Sequence, residues 1–296
     1  MTSTPLPSWQ DGPARNAILD FLRRISSPDS PDFVPPAERI ATFDNDGTLW
    51  LEKPHITELV FIHDLFRHDE IQPLLHTAGL RQRIEHWWDS FYDEVIEDCH
   101  LLLKEFRQGI STRDYHQWVS DWLQKARHPR FDKAYTDLTY TPMREVLALF
   151  QAHEFRTYLV SGGSCYFIRP WCEKAYGIPP EQVIGSTLLT RLNEKAHGLE
   201  VEMTPIPTYF DNGPGKVLAI ESQIARQPIA AFGNSSGDIP MLRWAGMAPV
   251  SLCMLVHHTD EAREYRYSPG EDTLQAASAH QWQVIDMQND WLRIFD

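Results

Sequence analysis

The stretch that most restricts what this chain can fold into is Ile40-Ala41-Thr42-Phe43-Asp44-Asn45-Asp46-Gly47-Thr48. Ile40 to Phe43 is a short apolar, β-branched and aromatic run, the pattern of a buried strand. It stops at Asp44, where two carboxylates two positions apart precede Gly47 and Thr48. Such a pair does not belong in the middle of a strand, because each buried charge needs a partner. At the carboxyl end of a parallel strand it does. Open α/β sheets bind ligands there, and a bound cation can supply the positive charge. Asp-Asn-Asp-Gly is also the composition of an ordinary turn, and only the rest of the chain separates the two readings.

The chain has 296 residues, 42% apolar and 23% charged, enough for one large or two ordinary domains with a full core. Lys and Arg total 27 against 41 Asp and Glu, a formal net charge of -14. That argues against non-specific binding to nucleic acid or to anionic membrane surfaces. An anionic small substrate stays open, because a metal and one or two local cations reverse the field inside a cleft. No run of 18 apolar residues occurs, so no transmembrane helix is expected. Met1-Thr2-Ser3-Thr4-Pro5-Leu6-Pro7 has neither a basic region nor an apolar core, so it does not read as a signal peptide. Cys99, Cys165, Cys172 and Cys253 form no CxxC pair and no zinc-like spacing. They read as reduced, packed thiols of a cytoplasmic protein.

Residues 1–12 are expected to wrap the surface. Pro13 opens an amphipathic helix carrying Ile18, Phe21, Leu22 and Ile25, and a proline-rich loop leads to the strand at 40–43. Residues 55–135 differ, with little strand signal and almost no glycine. Helical patterns run through Leu59, Ile62, Leu65 and Phe66, through Ile84, Trp87, Trp88, Phe91, Val95 and Ile96, and through Tyr115, Trp118, Val119 and Trp122. This reads as an insertion of about four helices whose aromatic stripes pack its own core. From Pro142 strands and helices alternate: helix 143–151, strand 156–160, helix 167–176 closed by Gly177, strands 182–189 and 199–203, a helix from Gly215-Lys216, strand 229–232, helix 240–245, strand 249–256 and an edge element after Val284. Alternation of this kind means a mostly parallel sheet flanked by helices, a Rossmann-like α/β core. The domains expected are a core of residues 1–54 and 136–296 and a helical cap of residues 55–135.

Three strands end alike, in Asp44-Asn45-Asp46-Gly47-Thr48, Ser161-Gly162-Gly163 and Gly233-Asn234-Ser235-Ser236-Gly237-Asp238. In a parallel sheet these ends share one edge, and Lys216 opens the helix just before the third strand. Carboxylates, a hydroxyl beside exposed backbone amides and one ammonium suit magnesium and a phosphoryl group.

On these residues the chain resembles the haloacid dehalogenase superfamily, on its phosphoserine-phosphatase-like branch, from about residue 38 to 256. Asp44, Asp46 and Thr48 match the family's first motif, Asp-x-Asp-x-Thr. Ser161 with Gly162 matches the second, Lys216 the third, and Gly233 with Asp238 the fourth. Asn234 stands where the family usually has an aspartate that ligates magnesium, which predicts a weaker metal site than a fully acidic one. The resemblance implies that Asp44 attacks phosphorus to give an aspartyl phosphate. It implies that Asp46 is the general acid and base, with its pKa raised by a neighbouring carboxylate. It implies that Asp44, Asp46, Asn234 and Asp238 hold Mg2+, and that Thr48, Ser161, Gly162 and Lys216 contact the phosphoryl oxygens of a small phosphorylated substrate.

Each residue also has a plainer reading. Ser161-Gly162-Gly163 can be a turn, Lys216 a solvated helix-start residue, and Asp238 an N-cap. Glu52 can reach a substrate headgroup or form a surface pair with Lys53. His257-His258, after a strand, reads as a surface loop. Asp46 argues against dehalogenation, which has no need of it. The alternatives kept are a catalytically weak phospho-ligand or protein-binding module, a phosphotransferase, and a phosphonate hydrolase using a cap lysine among Lys104, Lys125 and Lys133. The acidic run of Glu85, Asp89, Asp93, Glu94, Glu97 and Asp98 suits an amino-bearing leaving group or a solvated helix face.

Overall fold

A computed structural model describes residues 5–67 and 109–296. Its strands are β1 (Ile40–Phe43), β2 (Arg156–Ser164), β3 (Val183–Lys195), β4 (Gly198–Tyr209), β5 (Ala230–Gly233), β6 (Leu252–His257) and β7 (Gln283–Asp286). They form one sheet in the order β4-β3-β2-β1-β5-β6-β7. All neighbours are parallel except β3 and β4, which are antiparallel. The α/β class read from the sequence is therefore the observed one.

The sequence of β1 explains its central place. Its four residues are all buried, as expected of a strand covered on both faces. Ala41 lies opposite Thr157 of β2 on one side and Ala230 of β5 on the other. Phe43 stacks on Phe232 with centroids 4.5 Å apart and planes 4° from parallel. The chain fills one half of the sheet from β1 to β4 and then returns to the other side of β1 with β5. The β1/β5 boundary is thus the point where strand order reverses, the position where open α/β sheets place their ligands.

The helices cover the faces. Helix α1 (Pro13–Ser26) buries Ala14, Ile18, Phe21, Leu22 and Ile25. Helix α2 (Thr57–Arg67) and α3 (Thr112–Lys125) are the described parts of the expected insertion. Ser111 caps α3 by accepting the Asp114 N–H. Phe61 of α2 meets Tyr115 of α3 at 5.7 Å and Phe167 at 5.5 Å. Tyr115, Val119 and Trp122 are buried in the same apolar cluster as the sheet. These stripes pack, as their spacing predicts, but against the α/β core as well as each other. Then follow α4 (Thr141–Ala152), α5 (Cys165–Tyr176), α6 (Pro214–Ile224), α7 (Ile239–Gly246) and α8 (Glu271–Ala279). Gly177 ends α5 in the left-handed region at φ 68. The patterns at Ile84, Trp87, Trp88, Phe91, Val95 and Ile96, the acidic run, Cys99 and Lys104 lie outside the described residues.

Several expectations are corrected. The N-terminal segment does not merely wrap the surface: Leu6, Ser8 and Trp9 are buried. Trp9 donates its indole N–H to the Pro142 carbonyl at 3.0 Å. Isolated anchors between prolines leave no periodicity to read. Strand β3 runs on past its predicted limit to Lys195 through polar residues, and β4 runs on past 203 to Tyr209 through Pro205 and Pro207, residues that argue against a strand; the two pair with each other. Helix α8 gave no signal strong enough to be placed. His258 is not on a surface loop: it is buried just past the end of β6. No helix among the described residues is long and apolar enough to cross a membrane.

Candidate active site

The end of β1 is pinned before it turns. The Asp44 N–H donates to the Phe232 carbonyl at 2.9 Å, extending the β1/β5 ladder by one bond. The chain then folds back, with the Gly47 N–H on the Trp50 carbonyl at 2.9 Å. Gly47 has φ +72, and a Cβ there would overlap the Asn234 amide. Only glycine fits that left-handed position at so close an approach.

Lys216 ties three strand ends together. It sits in the first turn of α6, where Pro214 starts the helix. Its ammonium reaches Asp44 Oδ1 at 2.6 Å, Asp238 Oδ1 at 2.7 Å and the Val160 carbonyl at 2.9 Å. It is 2% exposed, so the solvated reading is wrong. Burial works to lower its pKa, but Asp238, Asp44 and Asp211 outweigh it and hold the group charged. Asp238 is saturated. Its other oxygen accepts the N–H groups of Asn234 and Ser235 and the Ser235 hydroxyl. It therefore braces the Asn234-Ser235 turn and aims Lys216; its side chain does not cap α7.

A cavity of about 280 Å³ opens above these strand ends. Asp44, Asp46, Glu52, Ser161, Gly162 and Lys216, all expected from the sequence, line it. Ser161 accepts the Gly163 N–H at 3.1 Å, and the β2–β3 register shifts between Ser161 and Ser164. The register break interrupts the β2–β3 pairing at the strand's end, where Ser161, Gly162 and Gly163 border the cavity. Thr48 and Asn234 are buried outside the lining and meet each other, with the Thr48 hydroxyl 3.2 Å from Asn234 Oδ1. Asn234 Nδ2 donates to Glu52 Oε1 at 3.3 Å. Glu52 is thus tied to the fourth motif and is not a surface partner of Lys53.

Glu58, Asn212 and Phe210 also line the cavity and were not singled out by the sequence. Glu58 accepts the Ser164 N–H at 2.8 Å. It comes from the first turn of α2, and nothing local announces that this turn lies over β2. Asp211 is fully buried near Lys216 and Asp238, and burial pushes its carboxyl up to about 7. The sequence Phe210-Asp211-Asn212-Gly213-Pro214-Gly215-Lys216, polar residues leading into a helix start, was the available hint.

The electrostatics are those of a site short of positive charge. Burial raises the Asp44 carboxyl well above the usual range, the Asp238 charge adds to this, and Lys216 opposes it. Asp46 is pushed up to about 7, first by burial, against a 2.9 Å hydrogen bond from the Trp50 indole, with Glu52 and Glu58 adding to the rise. The cause is therefore wider than one neighbouring carboxylate. Among the described residues, four cavity carboxyls, Asp44, Asp46, Glu52 and Glu58, face one lining cation, Lys216. Hard oxygen donors in excess suit a divalent cation such as magnesium. Among the described residues no three His, Cys, Asp or Glu side chains converge as a metal cage.

The profile of the haloacid dehalogenase-like hydrolases matches residues 41–243. Among solved structures, a conserved functionally unknown protein from Anaerococcus prevotii DSM 20548 is 15% identical, with a TM-score of 0.60 over 92% of this chain and 91% of its own. A protein of unknown function from Bordetella pertussis Tohama I is 17% identical, with a TM-score of 0.56 over 84% and 99%. These likenesses are of fold. No curated protein sequence matches the chain.

Proposed function

The chain belongs to the haloacid dehalogenase-like hydrolases, and from that premise we propose that it is a magnesium-dependent phosphomonoesterase. It acts through an aspartyl phosphate on a small phosphorylated metabolite. The observation that carries this reading is Lys216 held between Asp44 and Asp238, beneath a cavity shared with Asp46, Ser161 and Gly162.

Asp44 is the nucleophile. Lys216 occupies one of its oxygens, and the other attacks phosphorus, forming a carboxyl O–P bond as the ester O–P bond breaks. Asp46 gives the departing oxygen its proton; a carboxyl near 7 is half protonated at neutral pH, where acid and base forms are both at hand. In the second step water attacks phosphorus, Asp46 takes the proton, and Asp44 leaves with inorganic phosphate released. Ser161 and the Gly162 backbone border the space that the phosphoryl oxygens take, with Lys216 below. Magnesium would be held by Asp44 and the Asp46 carbonyl, with Asn234 Oδ1, beside the Thr48 hydroxyl that it accepts from, as a further donor, and it would supply charge that keeps Asp44 ionised and offsets the phosphoryl oxygens. Asp238 serves it through Lys216, and Thr48 through Asn234. Placement and charge compensation carry the rate. The three described cysteines, Cys165, Cys172 and Cys253, are free and buried, which supports a cytoplasmic enzyme.

The test is hydrolysis of p-nitrophenyl phosphate with magnesium, with chelator, and by Asp44→Asn. Activity that needs the metal and falls by about a thousandfold or more in the variant is expected. Undiminished turnover by Asp44→Asn would remove Asp44 from its role.

A further inference from the structure

His258 lies outside the four motifs, yet it touches the first of them. It follows β6 and is 1% exposed. Its Nε2 is 2.7 Å from the Gly47 carbonyl oxygen, and its Nδ1 is 3.1 Å from Glu264 Oε2. A carbonyl oxygen only accepts, so Nε2 carries a proton. On the other side one proton is shared with a carboxylate that is itself fully buried. The ring is fixed on its face as well, stacked on Tyr267 with centroids 4.1 Å apart and planes 15° from parallel. The Tyr267 N–H returns to the His258 carbonyl at 3.0 Å. The Glu264 backbone is held in turn: its N–H donates to the Asp260 carbonyl at 3.0 Å, and Arg130 donates to its carbonyl at 2.7 Å.

We propose that His258 is a positioning residue for the loop at residues 44–48, holding the Gly47 peptide through Nε2 while Glu264 orients the imidazole. Gly47 has no side chain, so its place depends on its two backbone bonds, the N–H to Trp50 and the carbonyl from His258. Its peptides flank Asp46 on one side and Thr48 on the other. A shift of the Gly47 carbonyl moves the Asp46 carboxyl relative to Asp44, and catalysis is sensitive to displacements of that size. Support therefore runs from Arg130 and Asp260 through Glu264 and His258 to Gly47, and from there to Asp46.

Two substitutions separate positioning from bulk stability. The amide nitrogen of Gln occupies the place of Nε2, and that of Asn the place of Nδ1. His258→Gln keeps a donor for Gly47 and loses the Glu264 contact; His258→Asn does the reverse. Both are expected to lower Tm. His258→Gln should hold kcat on p-nitrophenyl phosphate within about threefold of the parent, per folded molecule. His258→Asn should lose roughly tenfold or more in kcat, with KM changed less than about threefold. Hydrogen exchange read by mass spectrometry on the peptide spanning residues 44–50 should quicken in His258→Asn and not in His258→Gln. Equal kcat and equal exchange in the two variants would overturn the proposal. The exchange comparison needs no turnover, so it decides the point even if the parent enzyme leaves this ester untouched; that failure would count against the phosphatase reading alone.

Discussion

Asp211 has no exposure, and the Ser161 backbone gives its carboxyl some support. Burial pushes its carboxyl up to about 7, Lys216 opposes the rise, and Asp238 adds to it. An unfolded Asp titrates near 3.9, so the folded form is the weaker acid. Its contribution to stability is full below about pH 3.9 and lost as pH rises through about 7, up to roughly 4 kcal/mol. Asp211→Asn removes that dependence. Its Tm relative to the parent should rise from about pH 4 to about pH 7 and level off above that; a flat difference across that range would mean that Lys216 neutralises Asp211 at every pH. That Asp44, Asp46, Ser161, Gly162 and Lys216 border one cavity was legible in the sequence, because each stands at or near the end of a strand or opens a helix in a recognisable residue pattern. Asp211, Glu58 and His258 were not, because their importance lies in what the fold brings beside them.

The long hairpin of β3 and β4 shows what strand periodicity misses. The sequence marks the first part of β3, where Val183 and Ile184 are buried, and the first half of β4, up to the buried Met203. Beyond that β3 carries the exposed Leu192 among polar and charged residues, and β4 contains Pro205 and Pro207, so both stretches read as loop. Glu202 organises the outer half. It accepts from Arg191 at 3.0 Å and Asn193 at 2.5 Å, and pairs with Lys195 at 2.6 Å. Bonds from Lys195, then Asn193 and Arg191, hold its carboxyl down to about 2. A depressed carboxyl stabilises above its unfolded pKa of about 4.3, and the effect is lost as pH falls through about 2. Glu202→Gln should therefore lower Tm at neutral pH, with the deficit shrinking toward zero between about pH 4 and pH 2. A deficit that persists unchanged at about pH 2 would mean that the hairpin depends on the shape of Glu202 and not on its charge. Short buried strands such as β1 and β5 were read almost to the residue, because burial on both faces leaves a continuous apolar run.

At the scale of the molecule, the reversal of strand order at β1/β5 puts Asp44, Ser161 and Asp238 at one edge from distant parts of the chain, and Lys216 joins Asp44 to Asp238. The sheet and the two described insertion helices share one apolar cluster, so the cavity between them has a common foundation. The alternation of strands and helices made this architecture legible. The division of labour within the site was not, since Asp238 and Thr48 turned out to brace their neighbours and not to face the cavity. The central claim is that phosphorus is transferred to Asp44. The most direct measurement is mass spectrometry of the acid-quenched enzyme, taken during turnover of a phosphate ester with magnesium, and then of its peptides. One added phosphoryl group is expected on the peptide containing Asp44, absent with chelator and absent in Asp44→Asn. Steady turnover with no phosphorylated peptide, or with the group on another residue, would contradict the claim.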